Sequence, residues 1–272
     1  MLLQRVLTAL ILAPLAIAIV LWPPTAIFAL LCAVAFLAAW WEWAQLSGLK
    51  SGAASIGLVL AAIAAFALLW WDHAGVAMPL ALLLGVAWWL LACLWLRHFA
   101  FAAAPTRENR TLKLLAGALI IFPAWMALIA IHDREVHGRW WTMLALLIVW
   151  SADIGAYFSG RAFGKRKLAP QISPGKTWAG AYGALAGGTL VAVIGGWLLD
   201  VRGAALVGLA VLACLTVAAS IVGDLVESLM KRHAKVKDSG SIFPGHGGLL
   251  DRLDSVFAAL PVFAAGLWLL GL

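Results

Sequence analysis

Residues 228–255 read SLMKRHAKVKDSGSIFPGHGGLLDRLDS, a polar island between two apolar runs at about 204–230 and 255–271. The island brings Lys231, Arg232, Lys235 and Lys237 ahead of Asp238, turns through Pro244-Gly245-His246-Gly247-Gly248, and closes on Asp251, Arg252 and Asp254. Apolar runs near the roughly 20-residue spanning length read as membrane helices. The island is therefore a loop with two helix ends at a membrane surface, carrying the residue set for holding phosphates and a divalent metal.

Working outward, the composition agrees. With 65% hydrophobic residues, 11% charged residues and a mean hydropathy of +1.01, the chain falls outside the range of soluble domains. Nine apolar segments can be laid down, at about 5–22, 25–43, 54–71, 76–96, 113–132, 140–160, 180–199, 204–230 and 255–271. The fold class is an all-α polytopic membrane protein of about nine transmembrane helices with a polar active site facing the cytoplasm. The first segment runs past signal-peptide length to Trp22 and ends at Pro23-Pro24 without a small-x-small cleavage site, so it is expected as a helix of the mature protein. Cys32, Cys93 and Cys214 lie inside apolar runs without metal-ligand spacing, as small buried hydrophobes do.

Orientation follows from the basic residues. With nine alternating helices, sixteen of the nineteen Lys and Arg fall on the side of the N-terminus and the island, against Arg134, Arg139 and Arg202 opposite. That bias places the island in the cytoplasm. It also accounts for the net charge of +7 without nucleic acid, because basic residues mark cytoplasmic loops and anionic lipid surfaces.

The two halves differ in kind. Residues 1–112 look like scaffold helices, whereas residues 113–272 place Asp153, Asp224 and Glu227 where lipid should be. An ionisable group at membrane depth costs several kcal/mol unless paired, hydrated or coordinating, and reads as functional by default. The glycines from Gly180 to Gly196 read as close helix packing.

Asp224, Glu227 and Ser228 share one helix face at i, i+3 and i+4, and Asp251 and Asp254 repeat the i, i+3 spacing. Four carboxylates on two helix ends suit Mg²⁺, which takes hard oxygen ligands. The plainer alternative is that Asp251 and Asp254 complement a helix dipole while Asp224 and Glu227 pair with Lys231 and Arg232. Lys231, Arg232 and Lys237 are either membrane-surface anchors or phosphate contacts. Gly247 and Gly248 permit close backbone approach to a ligand, and His246 either hydrogen-bonds a phosphate or orders the loop. A second segment carries Asp153, Arg161 and then SPGKT at 173–177. There Pro174 is expected to enforce a turn, and Ser173, Lys176 and Thr177 offer hydroxyl and ammonium donors to phosphate or ribose. Asp153 has three open roles: supporting a metal, capping Lys176, or pairing with Arg161.

The pattern S-x-x-K-R-x-x-x-x-K-D-x-x-x-x-x-P-G-H-G-G-x-x-D-R-x-D from Ser228 to Asp254 is very similar to the signature of the phosphatidate cytidylyltransferases, the CDP-diacylglycerol synthases. The upstream D-x-G-A-Y-x-x-G-R-x-x-G-x-x-K and S-P-G-K-T-W resemble that family's other shared block, with Ala179 the one departure. The resemblance covers residues 110–272 and implies condensation of CTP with phosphatidate to CDP-diacylglycerol and pyrophosphate. It implies Asp224, Lys231, Arg232, Lys237, Asp238 and Asp251 as the catalytic set. Ser173, Lys176, Thr177, Ser228, His246, Gly247, Gly248 and Arg252 would bind substrate, and Asp224, Asp251, Asp254 and Glu227 would bind Mg²⁺. A second, monovalent cation such as K⁺, a homodimer and a bacterial inner-membrane location are further implications. The competing classes are a CTP-dependent membrane lipid kinase, an ion-coupled transporter, whose acids would lie nearer mid-membrane, and a structural scaffold.

Overall fold

The structure is a computed structural model and describes residues 13–49, 52–242 and 247–272. Helix α1 is seen at 13–21, followed by α2 (Thr25–Leu46), α3 (Gly52–Trp71), α4 (Ala77–Arg97), α5 (Arg107–His132) and α6 (Gly138–Phe163). A hairpin, β1 (Lys167–Ala169) and β2 (Ser173–Thr177), leads into α7 (Trp178–Leu198), α8 (Gly203–His233) and α9 (Leu250–Leu270). Eight of these helices, α2 to α9, are long and apolar enough to cross a membrane. With α1 the order matches the nine expected segments, although the predicted start of the first lies outside the described residues.

The helices outrun their apolar cores. Sequence placed α5 from about 113, but Thr106 caps it by accepting from Asn109 N at 3.2 Å, and the helix begins at Arg107. Likewise α8 continues through Lys231 and Arg232 to His233. Hydropathy marks the part of a helix that sits in lipid, whereas backbone hydrogen bonding carries it on into the interface. At 1.5 Å per residue, α8's 31 residues span about 46 Å, well beyond a hydrocarbon layer of roughly 30 Å.

Prolines break α1 from α2, because Pro23 and Pro24 supply no N–H. The exposed carbonyls at the end of α1 are taken up by other helices. His132 Nε2 donates to Val20 O at 3.0 Å, its Nδ1 pairs with Thr25 Oγ1 at 3.0 Å, and Arg139 donates to Leu21 O at 3.0 Å. Helices α5 and α9 are the most enclosed, and α3, α4 and α7 lie toward the periphery. Both central helices contain a proline, Pro123 and Pro261. Gly85 of α4 meets both, since a Cβ there would stand 2.8 Å from Pro123 and 3.0 Å from Pro261.

Helices α6 and α7 touch backbone to backbone. A Cβ on Gly155 would lie 2.3 Å from Gly183 O, and one on Gly187 would lie 2.9 Å from Ser151 O. The expectation that the glycines of α7 serve close packing is met here, and α6 supplies the matching small residues Ser151, Gly155 and Ser159.

The hairpin corrects the expected turn at Pro174. The turn falls at residues 170–172, and Pro174 lies within β2, with Lys167 opposite Thr177 and Ala169 opposite Ser173. Both strands of a two-stranded ribbon are edges, where a missing N–H is tolerated. Thr177 then caps α7, accepting from Gly180 N at 3.1 Å.

Gly155→Ala should lower stability by about 1–3 kcal/mol, the usual range for overpacking, because its new methyl meets fixed backbone rather than a movable side chain. Gly57→Ala, with nothing within 4 Å, should not. Thermal unfolding of the two variants in detergent separates them, and equal midpoints would show that α6 and α7 are not held at this seam.

Candidate active site

The last turns of α8 present Asp224, Glu227, Ser228 and Lys231 at i, i+3, i+4 and i+7, one helix face. Facing them are the first turns of α9 with Asp251 and Asp254, the end of α2 with Glu42, and strand β2 with Lys176. The charges fall into two adjoining groups.

In the first group Lys176 Nζ is 2.5 Å from Asp224 Oδ2, and Ser228 Oγ donates to Asp224 Oδ1 at 3.3 Å. Asp153 of α6 and Asp254 of α9 both lie within electrostatic reach of Asp224 and Lys176. A cavity of about 460 Å³ opens here, with Asp153, Lys176, Thr177 and Asp224 in its wall and Tyr157 and Arg161 at its rim. Gly160, Gly175 and Gly180 also line it, so the small residues that let α6 approach α7 leave its wall open to a ligand. Arg161 donates to Tyr157 Oη at 3.0 Å. The pairing of Asp153 with Arg161 is thus not made, and Asp153's electrostatic neighbours are Asp224, Lys176 and Arg252.

In the second group Lys231 Nζ bridges Glu227 Oε2 at 2.5 Å and Asp251 Oδ1 at 2.6 Å. Asp251 Oδ2 accepts from Ser239 N and Gly248 N, each at 2.8 Å. Glu42, only 4% exposed, accepts from Leu249 N at 3.1 Å through Oε1 and from Leu250 N at 2.8 Å through Oε2. The Ser239 hydroxyl shares its proton between Glu42 Oε2 at 2.9 Å and Asp251 Oδ2 at 2.8 Å. Glu42 thereby takes up the first amides of α9, and Asp251 those of the chain leading into it.

The structure thus brings Lys176, Asp224, Glu227, Ser228, Lys231, Asp251 and Asp254 to one end of the bundle. Arg232 is turned toward the hairpin, where its Nε donates to Ile172 O at 3.1 Å. Lys237 and Asp238 are exposed in the connector after α8, Arg252 is exposed on α9, and Ser173 is half-buried at the start of β2. Thr177 lines the cavity while its hydroxyl oxygen accepts from Gly180 N in the cap of α7. Gly247 (φ +81°) and Gly248 have protein partners: the Gly248 amide serves Asp251, and a Cβ on Gly248 would meet Glu42 at 2.3 Å. The carboxylates account for both glycines. His246 lies outside the described residues.

Glu42 and Ser239 were missed in the sequence. Glu42 stands in AWWEWAQ, at the end of a segment counted as plain scaffold, and its signal was a lone acid in an apolar run. Ser239 had no signal, being one hydroxyl in a loop.

The donor set suits a hard cation. Glu227 is 2% exposed and its Oε1 has no hydrogen-bond partner among the described residues, a costly orphan unless something positive meets it. No three acidic, His or Cys side chains among the described residues are gathered as a ready ligand cage. Instead the ammonium groups of Lys176 and Lys231 stand at the points where the carboxylates concentrate negative charge.

Lys231→Met should cost about 3–5 kcal/mol, the range for breaking a buried pair by removing one partner, because it takes the ammonium from between Glu227 and Asp251. Adding Glu227→Gln should recover part of that loss, with a coupling of at least about 1 kcal/mol. Denaturation of the two single variants and the double variant measures it, and simple additivity would mean that Lys231 does not hold the two acids together.

Comparison with known proteins bears on the same region and on the rest of the chain. Residues 3–270 match the cytidylyltransferase family. The phosphatidate cytidylyltransferase of Pseudomonas aeruginosa is 41% identical over 273 residues, covering 100% of this chain and 98% of that one. That of Haemophilus influenzae is 38% identical over 285 residues, covering 97% and 98%. The Bacillus subtilis protein of the same name is 40% identical over 148 residues, about half of each chain. With a match that runs from the first helix to the last and takes in both charged groups, this chain belongs to the cytidylyltransferase family.

Proposed function

We propose that this protein is a phosphatidate cytidylyltransferase, which transfers CMP from CTP to phosphatidate and releases pyrophosphate. The observation that carries the reading is the end-to-end similarity to the Pseudomonas aeruginosa protein of that name. The acid and lysine cluster beside an open cavity is in keeping with it.

The chemistry asks little of a general base. A phosphomonoester with a second pKa near 6 is largely ionised at neutral pH, so a phosphatidate oxygen attacks the α-phosphorus of CTP directly. One P–O bond forms, the bond to the β-phosphate breaks, and pyrophosphate leaves without a proton being taken from the nucleophile. What the protein must supply is alignment of two anions and neutralisation of charge on the leaving group. Lys176, at the cavity wall, is placed to contact a phosphate once it exchanges Asp224 for substrate, and Lys231 lies two turns on from Asp224 on the same face of α8, between Glu227 and Asp251. Asp224, Asp251, Asp254 and Glu227 are the residues that would hold Mg²⁺, which when bound neutralises phosphate oxygens and orients the leaving pyrophosphate. A monovalent ion such as K⁺ would share the same pool of carboxylates. Arg161 and Tyr157, exposed at the cavity rim, face the approach of a lipid head group.

The site is assigned to the cytoplasmic face of a bacterial inner membrane, on the strength of the basic residues crowded at that end. A homodimer is part of the same proposal.

The test uses detergent-purified protein with phosphatidate, Mg²⁺ and CTP labelled at either the α or the γ phosphate. Label should enter lipid from the α position only, with pyrophosphate released and turnover abolished by chelator. Asp224→Asn and Asp251→Asn should each lower kcat by at least about 10²-fold, on the scale of losing a charge-stabilising group, and Asp153→Asn should cost less. Entry of γ label into lipid would make the protein a kinase and overturn the reading.

A further inference from the structure

The transfer chemistry leaves Glu42 without a task. This carboxylate of α2 is 4% exposed, is absent from the wall of the cavity, and takes part in none of the four ion pairs among the described residues. Among those residues its hydrogen bonds come from neutral donors, Leu249 N at Oε1 and both Leu250 N and the Ser239 hydroxyl at Oε2. Burying a charge on such terms is costly. What a carboxylate offers in return is a second oxygen, which lets it hold two stretches of chain at once.

Those donors lie at the two ends of one loop. The connector from α8 to α9 meets Glu42 at Ser239 and Gly240 on its way out and at Gly248, Leu249 and Leu250 on its return, and a Cβ on either glycine would collide with the Glu42 carboxylate. Asp251 gathers the same two ends, accepting from Ser239 N and Gly248 N at 2.8 Å each. A Cβ on Gly247 would stand 3.3 Å from that of Asp238, so the loop closes on itself there. The Ser239 hydroxyl joins the two acids, at 2.9 Å from Glu42 Oε2 and 2.8 Å from Asp251 Oδ2. Held in this way, Asp251 commits Oδ2 to the loop and turns Oδ1 to Lys231 at 2.6 Å. Without Glu42 the first turn of α9 loses the acceptor of its first amides, and Asp251 alone holds the loop ends.

We propose that Glu42 is a positioning residue for the transfer reaction, clamping both ends of the α8–α9 connector and so fixing the turn of α9 that carries Asp251. The inference rests on the phosphatidate cytidylyltransferase reading. It gives the first half of the chain a part in the chemistry without any contact with substrate. Glutamine cannot replace the glutamate, because it offers one acceptor oxygen and sets an NH2 donor against the donors of the loop. Groups that orient a catalytic ligand from behind typically cost about 10- to 100-fold in activity when lost.

The experiment compares Glu42→Gln with Trp43→Phe in the full-length protein in dodecyl maltoside. Trp43 is the next residue of α2 and ties that helix to α5 instead, its Nε1 donating to Lys113 O at 2.7 Å. The unfolding midpoint, kcat and KM for CTP, and hydrogen–deuterium exchange of peptides spanning residues 239–250 are measured for each. Glu42→Gln should lower kcat about 10- to 100-fold while KM for CTP changes less than about threefold. Exchange across 239–250 should quicken by about tenfold or more, as a local loosening. Trp43→Phe should lower the midpoint, yet keep kcat and connector exchange within about twofold of the wild type, because a general loss of stability does not touch the clamp. A Glu42→Gln enzyme with kcat within about twofold of the wild type, unchanged connector exchange, or an equal loss of kcat in Trp43→Phe overturns this inference alone. A wild type that transfers no CMP overturns the reading of function and this inference with it.

Discussion

The start of α9 is an unfinished helix end buried against α8, and its free amides must find acceptors away from water. Glu42 takes up those of the helix from more than 200 residues earlier in the chain, and Asp251 of α9 itself takes up those of the chain leading in. The Lys231 half of the charged cluster is referred to this junction. Asp251 also receives Lys231, so fixing the helix start fixes the lysine, and the lysine in turn positions Glu227 on α8. Ser239 sits between the two carboxylates and pins the connector that returns from α8. A carboxylate is better suited to this work than a neutral acceptor, because the amide end of a helix carries partial positive charge.

The cavity depends on a second constraint, the close approach of α6 and α7. Without side chains at Gly155 and Gly183 the two backbones meet directly. That contact brings Asp153 on α6 and Lys176, just ahead of α7, around the same space as Asp224. The hairpin fixes Lys176 in turn, held at one side by Arg232 on Ile172 O and at the other by Thr177 in the cap of α7. Arg232 and Thr177 thus act as holders of the loop, Arg232 from outside the cavity and Thr177 from its wall.

Much of this was legible in the sequence because membrane helices are written in hydropathy and intramembrane acids are rare. The nine segments and the i, i+3 acids of α8 and α9 came from those two signals alone. What stayed hidden was of another kind. Glu42 is separated from its partners by about 200 residues, and no spacing rule links it to Leu249 or Leu250. The glycines at 247–248 carried the signal of close approach, and their close neighbours in the structure are the carboxylates of Asp251 and Glu42, since a buried carboxylate and a phosphate ask the same of a backbone. In the sequence Pro174 reads as a turn because proline is commoner there than in strands, and only the two-stranded ribbon, which is all edge, makes the strand acceptable.

The length of α8 decides where the chemistry happens. Asp224 is nine residues from the end of that helix, or about 14 Å at 1.5 Å per residue, and the helix as a whole exceeds the hydrocarbon by a similar margin. The carboxylates can therefore stand at the interface, where a phospholipid already holds its phosphate, rather than at mid-membrane, where an ion-coupled carrier keeps its acids. A lipid substrate then need not draw its charge into oil, and a water-soluble nucleotide need not leave water. The extra turns of α8 carry Glu227 and Lys231 to that level and let the partner helices converge on them. An acid placed two turns deeper would stand in a medium where neither substrate could reach it.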